Sequence, residues 1–377
     1  MAGRPSFLEF FAGGGLARQG LAGLFECVFA NDIDAMKCAV YRRNYPDAAL
    51  VEGDIWDLDA KTLPSAPLGW ASFPCQDLSL AGARRGLNAP RSGAFWGFWN
   101  LIETLGVSAP KTLAIENVAG LLSSHGGRDF AMLCTTLADA GYRVGAMLVD
   151  AALFLPQSRQ RLFIVAHKGK LPAGLQLAAP DAAFHPAGLC EAVEKLPDTT
   201  RLAWVWWKLP YPPKRNLDLA ALLERAPPES VWRSDAAAKK LMSQMAPLHR
   251  QRVEAALAVK TWTAGAVFRR IRIEDGARVQ RAEIRYDGMA GCLRTPAGGS
   301  SKQLLLVTES GRVRLRPLLA REAARLMGCE ETYNLPDRET AALKVLGDGV
   351  SVPVVRWLGE HLLAPLASGK AGARQAA

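Results

Sequence analysis

Short apolar segments alternate with amphipathic segments over the first 170 residues. The apolar segments predict strands at Ser6–Phe11, Glu26–Ala30, Ala49–Glu52, Leu68–Ser72, Thr112–Ile115, Tyr142–Asp150 and Arg161–Ala166. The helical patterns between them cover about Leu16–Leu24, Ile33–Tyr45, Gly93–Leu105 and Arg128–Ala140. This alternation predicts an α/β fold whose open, mainly parallel sheet is covered by helices on both faces. Ligands bind beyond the carboxyl ends of the strands in such sheets, so functional residues are expected just after strands.

The alternation stops near Leu171, where prolines become frequent and tryptophans cluster at positions 204, 206 and 207. We therefore expect a first domain over residues 1–169 and a second, smaller and less regular domain over 170–310. Helical patterns return from Leu318, which predicts a C-terminal helical segment at 311–367. Residues 368–377 form a polar tail that we expect to be frayed.

Composition excludes several protein classes. The chain has 377 residues, 49% of them hydrophobic, which is enough for a sizeable core. No apolar run approaches the roughly 20 residues of a membrane span, and no signal peptide is evident, so a cytoplasmic protein without membrane contact is expected. The seven cysteines contain no CxxC pair, which favours neither a metal site nor a disulfide framework.

A positive charge excess points to a polyanionic partner. The formal net charge is +10 and the pI is about 9.4. The excess is concentrated between Arg250 and Arg294, where ten basic residues face five acidic ones. Neutralising phosphates supplies most non-specific affinity for nucleic acid, so this segment indicates a nucleic-acid surface. Solubility alone is the competing explanation.

Glycines and acids follow the first three predicted strands. The turn Phe11–Gly15 has the composition of a loop that approaches a nucleoside-type cofactor, although a tight turn needs the same residues. Asp32 and Asp34 follow the second strand, where a carboxylate can accept from ribose hydroxyls or can cap a helix. Asp54 follows the third strand and suits an adenine amino group or a turn.

Three further motifs also lie at strand ends. Cys75 stands beside Pro74 after the fourth strand, where a thiolate can act as a nucleophile; a structural cysteine is the alternative. Glu116 follows an apolar strand and can donate or accept a proton, or form a polar pair at the sheet edge. Alternating Arg159 and Arg161 should point to one side of an extended segment, to hold an anion or a base edge, or simply as surface charge.

In this order and spacing, the motifs resemble those of the DNA cytosine-5 methyltransferase family. FAGGG resembles its cofactor loop, FPCQ its catalytic loop, ENV its glutamate motif, QSRQR its Q-x-R-x-R motif and GDGVSVP (347–353) its final motif. The resemblance covers about residues 6–168 and 290–365. Leu16 and Ser72 replace glycines that the family often has, and Asp348 replaces an asparagine.

The resemblance implies a Rossmann-like methyltransferase sheet, with S-adenosylmethionine as cofactor and S-adenosylhomocysteine as product. Cofactor contacts would come from Phe11, Ala12, Gly13, Gly15, Asp32, Ile33, Asp54, Ile55, Pro74 and Val350. Catalysis would use Cys75, Glu116, Arg159 and Arg161. The substrate would contact Pro74, Gln76, Asn117 and Gln157. No metal is implied.

The implied substrate is a cytosine flipped out of double-stranded DNA, and region 170–310 would be the target-recognition domain. The resemblance further implies a monomer of bacterial or phage origin, acting alone or beside a separate cognate restriction endonuclease. Three alternatives stay open: a tRNA cytosine-5 methyltransferase, an inactive DNA-binding relative, and a Rossmann oxidoreductase. Arg18 stands where the G-x-G-x-x-G pattern of the last class needs glycine.

Overall fold

A computed structural model describes residues 3–74, 93–274, 276–295 and 302–369. The chain divides into two compact units. The first unit contains residues 1–150, 160–213 and 350–377, and the second contains 151–159 and 214–349.

The described strands share the short lengths expected of a globular sheet, apart from the longer β10 and β11. They are β1 Ser6–Phe10, β2 Glu26–Asp32, β3 Leu50–Glu52, β4 Leu68–Ala71, β5 Thr112–Val118, β6 Arg143–Asp150, β7 Gln160–His167, β8 Gln176–Leu177, β9 Trp206–Trp207, β10 Thr263–Glu274, β11 Ala277–Arg285, β12 Leu304–Glu309 and β13 Arg312–Pro317.

The described helices are mostly short and amphipathic. They are α1 Leu16–Leu21, α2 Ala35–Asn44, α3 Ala94–Leu105, α4 Arg128–Asp139, α5 Ala187–Glu194, α6 Asp198–Leu202, α7 Leu219–Leu222, α8 Asp235–Ser243, α9 Pro247–Ala258, α10 Ala320–Met327, α11 Glu339–Asp348, α12 Val352–Leu358 and α13 Ala364–Ser368. None of the helices in the described ranges has the length and apolar character that a bilayer-spanning segment requires.

The first unit is built on a seven-stranded sheet of order β3-β2-β1-β4-β5-β7-β6. All pairs are parallel except those of β7, which runs antiparallel to β5 and β6. The predicted α/β fold with a mainly parallel sheet is thus confirmed. The strand order reverses between β1 and β4, and such a reversal opens a crevice for a ligand at the carboxyl edge.

Strand β5 extends further than its apolar run predicts. The prediction ends at Ile115, whereas the strand continues to Val118 because Glu116 and Asn117 pair with β7 and are buried despite their polarity. Burying polar side chains in a central strand is costly unless they are hydrogen-bonded. The burial of Glu116 and Asn117 therefore indicates that this end of β5 has a role beyond packing of the core.

The observed units differ from the predicted domain boundaries at 170 and 310. Residues 170–213 belong to the first unit because their backbone pairs with β6: Val205 N donates to Val144 O at 2.8 Å, and Val144 N donates to Ala203 O at 3.0 Å. Residues 311–349 belong to the second unit, since β13 completes its sheet. The functional division into catalytic and recognition domains stays a prediction.

The second unit is organised around a four-stranded antiparallel sheet of order β11-β10-β12-β13. Helices α8 and α9 pack on it. The core contains Val267, Ile284, Leu306 and Leu315 from the strands, Leu241 and Val253 from the helices, and Met245 from the turn between the helices. Only the first part of β10, Thr263–Val267, pairs with β12.

A fully buried ion pair connects β13 to α10 in this unit. Arg316 donates two hydrogen bonds to Glu322, at 2.7 and 2.8 Å, and both side chains are inaccessible to solvent. The Glu322 carboxylate also accepts from Leu319 N and from Glu224 N, both at 2.8 Å. Four donors thus satisfy a carboxylate that would otherwise be very costly to bury.

We expect Arg316→Met to lower the free energy of unfolding by about 3–5 kcal/mol, because the variant leaves the Glu322 carboxylate buried without its cation. The measurement is urea unfolding followed by circular dichroism. As a control, Arg42→Met removes the cation of the exposed Arg42–Glu52 pair and should cost less than about 1 kcal/mol. Equal losses in the two variants would contradict this account of the buried pair.

Candidate active site

The glycine-rich loop after β1 has a strained backbone. Phe11, Gly13 and Gly15 all have positive φ, at 57°, 56° and 81°. A phenylalanine at positive φ is an uncommon and costly conformation that clusters at functional sites. A side chain at Gly13 would meet no atom within 4 Å, so open space lies over this residue, whereas one at Gly15 would collide with the Tyr45 ring.

Asp32 at the end of β2 fastens this loop. Its carboxylate accepts from Gly13 N and from Asp34 N, both at 2.8 Å. Asp34 in turn caps α2, since its carboxylate accepts from Met36 N and Lys37 N. The two predicted acids therefore have distinct structural tasks, and Asp32 lies directly beside the open space over Gly13.

The other residues predicted to hold a cofactor at this edge differ in their exposure. Ile33 is 65% exposed, which is unusual for isoleucine and leaves an apolar surface for a base. Asp54 is half-buried and its carboxylate accepts from Trp56 N. The side chains of Ile55 and Val350 are buried, so a ligand would contact these two residues through their backbone atoms. Their contacts with a cofactor, like that of Ala12, stay predictions.

Beneath the loop lies a buried polar cluster that the sequence analysis missed. Glu9 of β1 is fully buried and accepts from Tyr41 Oη at 2.7 Å and from Arg18 N at 3.1 Å. Cys27 Sγ lies 3.5 Å from Tyr41 Oη, and Tyr45 Oη donates to Gly15 O at 2.9 Å. The signal was available, because Glu9 is the only charged residue in the apolar run Ser6–Phe11.

Burial raises the pKa of Glu9 to about 7, although the hydrogen bond from Tyr41 and the nearby Arg18 oppose this shift. Burial, together with the Glu9 carboxylate, also raises the pKa of the Cys27 thiol to about 12. The Arg18 guanidinium lies 4.3 Å from the centre of the Tyr45 ring. One titratable carboxyl thus connects β1, α1 and α2 under the loop.

The loop that follows β4 carries the predicted nucleophile. Asn117 Nδ2 donates to Phe73 O at 3.2 Å, and Asn117 Oδ1 accepts from Val118 N at 2.9 Å. This buried amide ties the end of β5 to the chain just before Pro74, which is exposed. Cys75 and Gln76 lie outside the described residues. The contact makes Asn117 a support of the loop, and its predicted contact with substrate is untested.

Glu116 and Arg161 form an ion pair at the same edge of the sheet. Arg161 Nε lies 3.0 Å from Glu116 Oε1, and both side chains are largely shielded from water. The antiparallel register pairs Val118 with Arg161 and Glu116 with Phe163, which brings the two side chains together from β5 and β7. The ion pair with the Arg161 guanidinium fixes the orientation of this carboxyl.

Arg159 and Gln157 are organised differently, within the second unit. Arg159 is buried and donates to the carbonyl oxygens of Leu293 at 2.9 Å and Gly347 at 3.1 Å, and also to that of Gly349. The Gln157 amide is fully buried, donates to Leu326 O at 2.6 Å and accepts from Leu293 N. This geometry favours structural roles over the predicted catalytic and substrate contacts.

The strand order, the glycine-rich loop at its reversal and the paired acid at the carboxyl edge define the class: an α/β domain of the methyltransferase type. The family model described as C-5 cytosine-specific DNA methylase matches residues 6–364. The chain therefore belongs to the C-5 cytosine-specific DNA methylase family, and the resemblance found in the sequence motifs is confirmed.

Curated relatives agree with this family. The Type II methyltransferase M.Eco47II of Escherichia coli is 32% identical over 238 residues, which are 60% of this chain and 54% of that protein. The chain thus spans about half the length of this relative. Type II methyltransferase M.NlaX of Neisseria lactamica is 27% identical over 365 residues, 96% of this chain and 97% of that protein.

Solved structures share the fold. The Dnmt2 methyltransferase of S. pombe matches with a TM-score of 0.62 at 20% identity, over 96% of this chain and 99% of that one. An E. coli prophage protein described as a putative DNA modification methyltransferase matches with a TM-score of 0.54 at 16% identity, over 94% and 97% of the two chains. At these identities the likeness establishes the fold alone.

The buried Glu9 should make stability depend on pH. Its pKa in the folded protein, about 7, lies above its ordinary value of 4.5, so the folded state favours the protonated form. This contribution is complete below about pH 4.5 and is lost as the pH rises through 7, up to about 3 kcal/mol in all. Glu9→Gln mimics the neutral carboxyl, so its stability relative to the unmodified protein should grow between pH 5 and pH 8.

Urea unfolding at pH 5, 6, 7 and 8 measures this difference. The exposed Glu26 on β2 supplies the control, since Glu26→Gln should give a difference that stays constant over the same range. Parallel pH curves for Glu9→Gln and the unmodified protein would show that the carboxyl does not titrate in this window.

Proposed function

We propose that this chain transfers a methyl group from S-adenosylmethionine to C5 of a flipped-out cytosine in double-stranded DNA, through a covalent bond between Cys75 and C6. The observation that carries the proposal is the arrangement of side chains at the carboxyl edge of the sheet. The Glu116–Arg161 pair at 3.0 Å and the Asn117 contact with the chain before Pro74 bring an acid close to the loop of the nucleophile.

The cofactor supplies an electrophilic methyl group on a sulfonium when it is bound. Phe11, Gly13 and Asp32 would hold it in the crevice, with Ile33 against its base, because the open space over Gly13 and the exposed Ile33 suit a nucleoside. Transfer leaves S-adenosylhomocysteine.

Cytosine C5 is a poor nucleophile until C6 is attacked. The Cys75 thiolate forms a bond to C6, and the π pair of the C5–C6 double bond shifts to form a C4–C5 double bond. The π pair of the C4–N3 double bond then takes the proton that Glu116 donates to N3. C5 then takes the methyl group. Removal of the C5 proton by a base and departure of the Cys75 thiolate restore the double bond, and N3 returns its proton to Glu116. Arg161 orients the Glu116 carboxyl throughout and is available to the O2 of the base.

The target base is stacked in a duplex, so it must leave the helix before Cys75 can reach C6, at a cost of a few kcal/mol. Basic residues of the segment 250–294 are suited to hold the flanking phosphates. We propose double-stranded DNA rather than tRNA as substrate, since the curated relatives carry the name Type II methyltransferase. A separate restriction endonuclease, a monomeric state and a cytoplasmic location belong to the same proposal.

The test of the proposal is methyl transfer from tritiated S-adenosylmethionine to duplex DNA and to tRNA in parallel reactions. We expect label in DNA only. Label in tRNA alone would replace this proposal with the RNA alternative, and absence of label in both would overturn it.

Cys75→Ser should abolish methyl transfer, because a serine hydroxyl is a far weaker nucleophile than a thiolate. DNA binding should survive the change. Duplex DNA containing 5-fluorocytosine should form a covalent complex with the unmodified protein in the presence of S-adenosylmethionine, visible as a shifted band on a denaturing gel. The variant should give none, and turnover by the variant would remove Cys75 from the role of nucleophile.

Glu116→Gln should lower kcat by about 10²–10⁴-fold, the range that general acid catalysis contributes. Tritium incorporation under saturating DNA measures it, and urea unfolding checks that the fold is retained. The exposed Glu103 on α3 provides a matched control, since Glu103→Gln should leave kcat unchanged. A kcat that is unaffected in Glu116→Gln would exclude the acid role.

A further inference from the structure

A two-stranded ribbon projects from the sheet of the second unit. Strand β12 pairs with β10 only up to Val267, whereas β11 pairs with β10 as far as Glu274. Residues 268–274 and 277–283 therefore continue beyond the four-stranded sheet as a hairpin, about 24 Å long at about 3.4 Å per residue. A two-stranded β-ribbon is one of the elements that the major groove of B-DNA, about 12 Å wide, admits.

The cross-strand register divides the ribbon into two faces. Directly opposed residues share a face, and the face that contains Arg270, Arg272, Arg281, Glu274 and Glu283 is the paired face. There Glu283 forms ion pairs with Arg270, at 3.3 Å, and with Arg272, and Glu274 forms an ion pair with Arg281. Its charges are thus largely satisfied within the ribbon.

The opposite face, which we call the apolar face, contains Ile271, Ile273, Arg278 and Gln280. Ile271 is 59% exposed and Ile273 is 79% exposed, and Arg278 and Gln280 are exposed beside them. Among the described residues, this face contains no acid, and neither the Arg278 side chain nor the Gln280 side chain has a hydrogen-bond or ion-pair partner. Two exposed isoleucines next to unpaired donors are costly to leave in water, which indicates a surface that another molecule covers.

Positive charge at the base of the ribbon indicates that the molecule that covers the apolar face is a polyanion. A cavity of about 630 Å³ lies there. Its lining includes Arg252, Arg269, Arg270, Arg285, Arg294 and Lys302, and Glu283 is the only acid among the described residues that line it. Backbone phosphates suit such a lining, whereas an apolar protein partner does not.

We propose that the apolar face of the ribbon enters the major groove of DNA and sets the sequence selectivity of this chain. An arginine pairs in bidentate fashion with O6 and N7 of guanine, and a glutamine with N6 and N7 of adenine. Arg278 and Gln280 supply these two groups, and the isoleucine side chains supply apolar contacts for thymine methyl groups. The proposal rests on the proposed function in taking DNA as the ligand, and it assigns the selectivity to four residues.

The test selects duplexes by binding, so that it does not depend on catalysis. The full-length chain is mixed with 30-base-pair duplexes of random sequence, and the bound fraction is sequenced. We expect the unmodified protein to enrich a motif containing at least one G·C pair whose preference falls about 5–150-fold in Arg278→Ala, since one bidentate pair is worth about 1–3 kcal/mol.

The matched control is Arg272→Ala, which removes the same charge from the paired face of the same ribbon. It should keep the motif within about twofold at every position, while both variants lose similar affinity for non-specific DNA. An unchanged motif in Arg278→Ala, or equal loss of selectivity in the two variants, would overturn the proposal, as would a failure of the unmodified protein to enrich any motif.

A second variant, Ile271→Ser with Ile273→Ser, changes no charge. It should weaken the preference for the selected motif without altering the salt dependence of binding, because no phosphate contact is removed. Both positions are exposed, so the fold should be retained. Conversion of a dimer to a monomer by this variant, seen by analytical ultracentrifugation with selectivity intact, would make the face a contact between copies and overturn the proposal.

Bisulfite sequencing of the same duplexes after incubation with S-adenosylmethionine reports methylation separately. Loss of binding selectivity in Arg278→Ala would support the proposed role of the ribbon even if no cytosine were methylated. Absence of methylation would count against the proposed function alone. Methylation with an unchanged motif in Arg278→Ala would overturn the ribbon and support the proposed function.

Discussion

The parallel pairing of β4 with both of its neighbours is the constraint on which the candidate site depends. Phe10, Ala71 and Ile115 are level in the register, so β1 and β4 end at the height at which β5 reaches Glu116. The glycine-rich loop and the loop that carries the proposed nucleophile therefore begin at the same edge of the sheet as Glu116. The antiparallel β7 supplies Arg161 from the opposite direction. A shift of one residue in any of these pairs would turn the side chains to the other face of the sheet.

The loop over this edge is supported by a costly arrangement. Positive φ at Phe11 stores strain, and the buried Glu9 carboxyl beneath it is charged only at the expense of desolvation. Both features would be removed easily by substitution if packing were the only requirement. Together with the rings of Tyr41 and Tyr45, these features support the loop, since Tyr45 Oη donates a hydrogen bond to the Gly15 carbonyl. A preorganised loop loses less conformational entropy when a ligand binds.

The sequence predicted the strands of the first unit closely, because period and apolar content are local properties, and the glycines and acids after these strands indicated the edge of the sheet at which the candidate site lies. It did not predict partners that are distant in sequence. Arg159 lies two residues from Arg161, yet its guanidinium binds the carbonyls of Leu293 and Gly347, which no local pattern reveals. Likewise, Glu9 is conspicuous as the charged residue of an apolar run, but its hydroxyl donor, Tyr41, comes from a helix that is distant in sequence, so no local pattern reveals the pair.

Most of the ribbon, Ala282 excepted, lies outside the core of the second unit. Its core ends at Val267 on β10, and from Arg270 onward the strand contributes nothing to that core in the part of the chain that the structure describes. Stability and selectivity thus depend on different residues of one strand. On the paired face, Glu274 and Glu283 neutralise arginines that would otherwise attract DNA of any sequence equally well. Discrimination between DNA sequences then depends on the apolar face, whose side chains are the ones placed to contact bases.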